Sequence, residues 1–124
     1  MNLSDYFENT KGTGVLATAD SDGNVDIALY ARPHAIDEQT VAFIMNEHLS
    51  YKNLTSNPKA AYLFLEEGPG YSGKRLYLTK IREDTNAELI DSMKRRKTEK
   101  YNKGDSQKHV VYFSVDKMRS LVGK

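Results

Sequence analysis

The sequence predicts a mainly β domain: a small antiparallel barrel of six strands with short helices between them. Three observations lead there. Apolar and β-branched runs recur along the 124 residues, each closed by a turn rich in Gly, Pro, Asn or Asp. Too few of the connections between them carry the full helix that a parallel crossover needs. The length suits a single domain, residues 1–124, able to bury roughly two-thirds of its unfolded surface without disulfide staples.

In chain order, Leu3, Tyr6 and Phe7 fall at helical spacing, which predicts a helix near Ser4 to Asn9. Lys11-Gly12-Thr13-Gly14 reads as the loop that breaks it. Val15 to Ala19 and Val25 to Ala31 are two strands joined through Asp22-Gly23, a pair that favours positive φ. Pro33 ends the second strand or bulges it. After a turn at Asp37-Glu38-Gln39, the nearly unbroken apolar run Thr40 to Met45 predicts a buried strand.

His48 to Ser56 predicts a short helix stopped by Asn57-Pro58. Ala60 to Leu65 and Leu76 to Ile81 follow as strands around Gly68-Pro69-Gly70-Tyr71, which suits a type II turn. Thr85-Asn86-Ala87-Glu88 reads as a capping box that starts a helix with Leu89, Ile90 and Met93 on one stripe. Val110 to Val115 is the sixth strand, and Asp116 to Leu121 a terminal helical turn.

Composition removes several function classes. There is no cysteine, hence no disulfide, thiolate nucleophile or cysteine-held metal. No apolar run is long enough to span a bilayer, and no secretory signal opens the chain, so the expected location is cytoplasmic with no membrane partner. The net charge of +1 conceals an imbalance. Lys94 to Lys103 holds six basic residues against Glu99, while the rest of the chain has 12 basic and 16 acidic residues. That basic stretch could pair with phosphates, but Tyr101 is its single aromatic, so a nucleic-acid module ranks below a solvated helix end and loop, and a flexible lid over a ligand is a further alternative.

Other fragments carry no chemistry. Asp20-Ser21-Asp22-Gly23 lacks the twelfth-position carboxylate of a calcium loop, because Ala31 stands there. His34, His48 and His109 lack metal-ligand spacing, and His109 reads as a structural residue at a strand edge. Glu66 and Glu67 are neighbours in a strand and point to opposite faces, so they cannot flank one bond.

The segment from Ile27 to Asn57 says more. Two strands lead into a helix whose start carries His48, Ser50 and unpaired backbone N–H groups, a combination that favours phosphate. Arg32, at the end of the neighbouring strand, could offer the same anion a forked charge. Residue type alone also allows Tyr30 and Met45 to be core and Ser50 to be a cap.

From about Gly14 to Ile81 the chain resembles the FMN-binding split-barrel family, the pyridoxamine 5′-phosphate oxidase-like proteins. The resemblance rests on the Asp22-Gly23-Asn24 hairpin, the strand ending Tyr30-Ala31-Arg32-Pro33, and Ser50-Tyr51-Lys52-Asn53-Leu54-Thr55-Ser56-Asn57-Pro58 leading into Ala60-Ala61-Tyr62-Leu63. The length is similar to that of its minimal, single-barrel members. The resemblance implies a six-stranded split barrel and a homodimer with FMN at the subunit interface. It implies that Ala28, Leu29, Tyr30, Ala31 and Arg32 border the flavin ring and ribityl chain, and that Met45 forms part of the wall. His48, Leu49, Ser50 and Asn53 would surround the phosphate with Arg32 as its cation, and Lys80 and Tyr71 are weaker candidates.

Two departures bear on activity. Leu49 stands where many relatives have Lys or Arg. The short C-terminus and the absence of tryptophan argue against pyridoxamine-phosphate oxidation itself. The resemblance therefore implies an FMN-dependent oxidoreductase acting on an unidentified small molecule, using NAD(P)H or a redox partner protein, with no catalytic side chain assigned. An FMN electron-transfer protein is the alternative, and haem or deazaflavin in the same barrel a third reading.

Overall fold

The computed structural model describes residues 2–93 and 108–123. Its elements in chain order are α1 (Leu3–Asn9), β1 (Gly12–Ala19), β2 (Val25–Leu29), β3 (His34–Asp37), β4 (Thr40–Met45), α2 (Leu49–Ser56), β5 (Lys59–Glu66), β6 (Gly73–Asp84), α3 (Ala87–Met93) and β7 (His109–Ser120). The seven strands form one antiparallel sheet ordered β2-β1-β5-β6-β7-β4-β3. The fold class is the one expected, mainly β with short helices. The strand count is seven rather than six.

The long strands β6 and β7 join the two parts of the sheet. Register shifts between Tyr77 and Leu78 and between Lys80 and Arg82 interrupt their pairing, and such bulges bend a sheet and increase its twist. The concave side encloses Leu16, Phe43, Met45, Tyr62, Phe64, Leu76, Leu78 and Phe113. Helix α1 adds Leu3 and Phe7 to this core, with the Phe7 ring edge-on to Phe64 at 5.4 Å. A second cluster places Ile90 of α3 against Ala42, Val110 and Tyr112.

Several local expectations are corrected. Gly12-Thr13-Gly14 belongs to β1 instead of a loop. A Cβ at Gly14 would lie 1.8 Å from the Tyr62 hydroxyl and 2.7 Å from the Tyr30 carbonyl, so glycine here serves close approach. Strand β2 ends at Leu29, two residues earlier than expected; Tyr30 N still donates to Gly14 O at 3.0 Å, and the Tyr30 and Ala31 carbonyls accept from the Tyr62 hydroxyl at 3.1 and 3.3 Å.

The missed strand β3 is only four residues long and carries a register shift against β4, too short and irregular to show a period. Asp116 to Ser120 continues β7 instead of forming a helical turn, because β6 extends to Gly73 and supplies partners such as Leu76 for Met118. Asn86, not Thr85, caps α3: its Oδ1 accepts from Leu89 N at 3.0 Å. In the β1–β2 turn only Gly23 has positive φ, while the Asp20 carboxylate accepts from the N–H groups of Asp22 and Asn24. The basic stretch from Lys94 to Lys103 lies outside the described residues.

Candidate functional site

Helix α2 starts where β4 runs out. After Met45 the chain turns tightly, with His48 N donating to Asn46 O at 2.8 Å, and the first intrahelical bond runs from Lys52 N to His48 O at 3.0 Å. His48 is the N-cap residue but makes no side-chain capping bond. The N–H groups of Leu49, Ser50 and Tyr51 therefore lack an intrahelical acceptor, and the positive end of the helix dipole lies here. Asn53 fixes the orientation of α2 from its buried face, donating through Nδ2 to Thr18 Oγ1 on β1 at 3.0 Å.

This helix start opens onto a cavity of about 380 Å³. Strand β2 gives it Asp26 through Leu29, followed by Tyr30; Ile44 and Asn46 form another side; His48, Leu49 and Ser50 complete it. Ile27, Ala28, Leu29, Ile44 and Leu49 are its apolar groups, and Asp26, Asn46, His48 and Ser50 supply polar ones, a mixture usual in small-molecule sites. The buried Ser50 hydroxyl donates to Asp26 Oδ2 at 3.4 Å. Burial pushes the Tyr30 phenol upward, the nearby Ser50 hydroxyl offsets part of that and the Asp26 charge adds to the rise, so the phenol stays protonated at neutral pH. Among the described lining residues there is one carboxylate and one imidazole, and no lysine or arginine.

Of the expected site residues, the structure gathers Ala28, Leu29, Tyr30, His48, Leu49 and Ser50 around this cavity. Arg32 is placed elsewhere. Its Nη1 donates to the carbonyls of Phe7 at 2.8 Å and Thr10 at 2.9 Å, closing the C-terminal end of α1. Met45 is buried in the core, and its neighbour Ile44 faces the cavity, because consecutive strand residues point to opposite faces. Ala31 and Asn53 lie outside the lining, Asn53 on the β1 side of α2. Lys80 pairs with Glu83 at 2.9 Å, and Tyr71 is exposed on the β5–β6 connection.

Asp26, Ile27, Ile44 and Asn46 were not among the expected site residues. Asp26 and Ile27 are the neighbours of Ala28, so extending the strand would have found them; choosing Ile44 over Met45 required the register. Among the described residues no His, Asp and Glu cluster could hold a metal ion, and no helix is long and apolar enough to cross a membrane.

The sequence profile of pyridoxamine 5′-phosphate oxidase matches residues 4–121. The chain belongs to the pyridoxamine 5′-phosphate oxidase-like family. An FMN-binding protein from Syntrophomonas wolfei subsp. wolfei shares its fold with a TM-score of 0.78 at 19% identity, over 98% of this chain and 85% of that one. HupZ of Group A Streptococcus matches with a TM-score of 0.69 at 20% identity, over 96% and 90% of the two chains. An F420 reductase matches with a TM-score of 0.71 at 15% identity, over 93% and 94%. At these identities the structures report the fold. No curated protein matches the chain.

Proposed function

We propose that this member of the family binds FMN in the cavity between β2 and the start of α2, and that it is an FMN-dependent oxidoreductase acting on a small molecule. The observation that carries the reading is the joining of an apolar strand wall to a helix start with unpaired N–H groups in one cavity. A flavin has the matching division, a flat apolar ring system at one end and a phosphate at the other. The residues present fit it. Ala28, Leu29 and Tyr30 border the ring and ribityl chain, while Leu49 and Ser50 N–H groups, the Ser50 hydroxyl and His48 face the phosphate. Among the described lining residues Asp26 is the one carboxylate, and it opposes the anion. Arg32, Met45, Ala31 and Asn53 act behind the wall in this reading, holding the strands and the helix that form it.

FMN, when bound, supplies one- or two-electron redox chemistry, with the protein binding and orienting it. The chain's own part is to present donors at the phosphate and to keep water from the ring with β2. The similarity to an FMN-binding protein from Syntrophomonas wolfei subsp. wolfei supports this cofactor. The similarity to an F420 reductase makes a deazaflavin the second reading.

A homodimer with the flavin at its interface belongs to the same proposal. Val25, Ile27 and Leu29 form one outward row on the edge strand β2, with exposures of 81%, 70% and 75%. Such a row on an open sheet edge is costly in water and invites a partner. Since Ile27 and Leu29 also line the cavity, a second copy docked there would complete the site.

The test is the absorption spectrum of freshly purified protein followed by titration with FMN, F420 and haem. Yellow flavin bands, or a saturable change with FMN, support the reading, and a response to F420 or haem alone overturns it. Bleaching by NAD(P)H identifies a nicotinamide-driven reductase; a flavin reduced only by a protein donor identifies an electron carrier.

A further inference from the structure

The start of β7 grips the segment that leads into α2. Met45, the last residue of β4, pairs with His109, the first of β7. Just beyond this pair, Lys108 Nζ donates to Asn46 Oδ1 at 3.1 Å, and His109 Nε2 lies 2.8 Å from Glu47 Oε2. The His109 ring also stacks on Tyr51, in the first turn of α2, with centroids 4.3 Å apart and planes 19° from parallel. Behind the stack, Tyr51 donates its hydroxyl to Glu83 Oε2 at 2.7 Å, and Lys80 holds the other Glu83 oxygen at 2.9 Å. The second ring nitrogen of His109 is 3.2 Å from the Tyr51-bound oxygen of Glu83 but off the line of a hydrogen bond.

The contacts bracket the cavity-lining residues His48, Leu49 and Ser50, and one of them, to Asn46, falls on a lining residue itself. Asn46 and Glu47 are held upstream, Tyr51 downstream, and His48, Leu49 and Ser50 lie between them. Neither Lys108, His109, Tyr51 nor Glu83 lines the cavity. A buried imidazole between two carboxylates and against an aromatic ring is a costly arrangement to assemble. Here it joins three separate parts of the chain, the β4–α2 turn, α2 and the β6–β7 ladder, at the point where a ligand's polar end would sit.

We propose that Lys108 and His109 are positioning residues of the cavity, fixing the segment from Asn46 to Tyr51 so that the first-turn N–H groups of α2 converge on the ligand's phosphate. The phosphate part rests on the FMN reading above; the clamp itself does not. With the clamp released, the helix start pivots about the Asn53–Thr18 bond, while the β2 wall stays in place on β1. The clamp therefore acts on affinity for the phosphate and not on affinity for the ring.

Two measurements test this on the full-length protein. Amide exchange is compared between wild type and the variants Glu47→Ala, Lys108→Ala and His109→Gln. Glu47 is nearly half exposed, so its variant keeps the core intact if His109→Gln fails to fold. Exchange is expected to quicken about tenfold at His48 and Lys52, with Asn57 at the far end of α2 and Leu16 in β1 unchanged. The second measurement is affinity for FMN against riboflavin, which lacks the phosphate. FMN binding is expected to weaken about tenfold with riboflavin binding unchanged. Unchanged exchange at His48 and Lys52 overturns the clamp. Equal losses for both flavins overturn its role at the phosphate. If the wild-type protein binds neither flavin, the FMN reading fails, and the exchange comparison alone decides the clamp.

Discussion

The Ser50 hydroxyl of α2 reaches across to the Asp26 carboxylate of β2 at 3.4 Å, so the cavity carries a carboxylate beside the start of the helix. A phosphate bound at the helix start would meet that charge within a few ångströms, in a setting less screened than bulk water. Asp26→Asn keeps the hydrogen-bond acceptor and removes the charge. It is expected to tighten FMN binding by roughly three- to tenfold, about 1 kcal/mol, with riboflavin affinity almost unchanged. Weaker FMN binding would instead mean that Asp26 contacts the ligand as a carboxylate.

Gly14 is held by packing and not by its φ angle. A Cβ there would sit 1.8 Å from the Tyr62 hydroxyl, 2.4 Å from its ring carbon and 2.7 Å from the Tyr30 carbonyl. Gly14→Ala should lower stability by about 1–3 kcal/mol, read from urea unfolding. Removing the hydroxyl in Gly14→Ala/Tyr62→Phe should recover only part of the loss, because the ring carbon and the carbonyl still collide. Full recovery would mean that the hydroxyl was the entire obstacle.

The strands that were legible from the residues alone are those whose side chains carry their own signal. Thr40 to Met45 reads as a strand because both its faces are largely covered, and His48 to Ser56 reads as a helix because Asn57-Pro58 stops it. Elements that depend on a distant partner were not legible. Gly12 to Gly14 looks like a breaker until Tyr62 is seen across the ladder, and Asp116 to Ser120 is polar enough to pass for a turn until β6 lies beside it. The same division holds at the cavity. The helix start was visible in His48 and Ser50, whereas the choice of Ile44 over Met45 depends on strand register. Arg32 had the right charge and the right neighbours in sequence, but the open carbonyls at the end of α1, more than twenty residues away, take its guanidinium.

Arg32 is expected to act through stability. Its Nη1 serves the carbonyls of Phe7 and Thr10, with Glu8 O further off at 3.5 Å. Arg32→Ala leaves these α1 carbonyls short of a charged donor, at a cost of roughly 1–3 kcal/mol. The expected result is a fall of several degrees in the Tm of the protein without flavin. An unchanged Tm with a large loss of FMN affinity would return Arg32 to the phosphate.

The outward row on β2 makes a separate prediction about assembly. Val25 is the most exposed of the three and does not line the cavity, so a charge there disturbs association without touching the site directly. Val25→Asp should weaken self-association by roughly 2 kcal/mol or more, moving sedimentation toward the monomer at micromolar concentration. FMN affinity should fall with it, since in the proposed dimer the second copy completes the site. Wild-type protein that sediments as a monomer at every concentration would sink the dimer.

Glu83 ties the His109 network to pH. Burial favours its neutral form, but hydrogen bonds from Lys80 and Tyr51 outweigh that and hold the carboxyl below the ordinary glutamate range. Tyr51 cannot compete for the charge: burial and its bond to Glu83 push the phenol up to about 12, so it remains a donor throughout. A carboxyl lowered in the folded state contributes stability above its unfolded value, and that contribution fades as pH falls through the folded one. Glu83→Gln should therefore be less stable than wild type at neutral pH, and the difference should shrink in acid. Urea unfolding at roughly pH 7 and pH 3 measures both ends of this linkage. A difference of the same size at both would mean that Glu83 acts by shape and hydrogen bonding alone, with no part played by its charge.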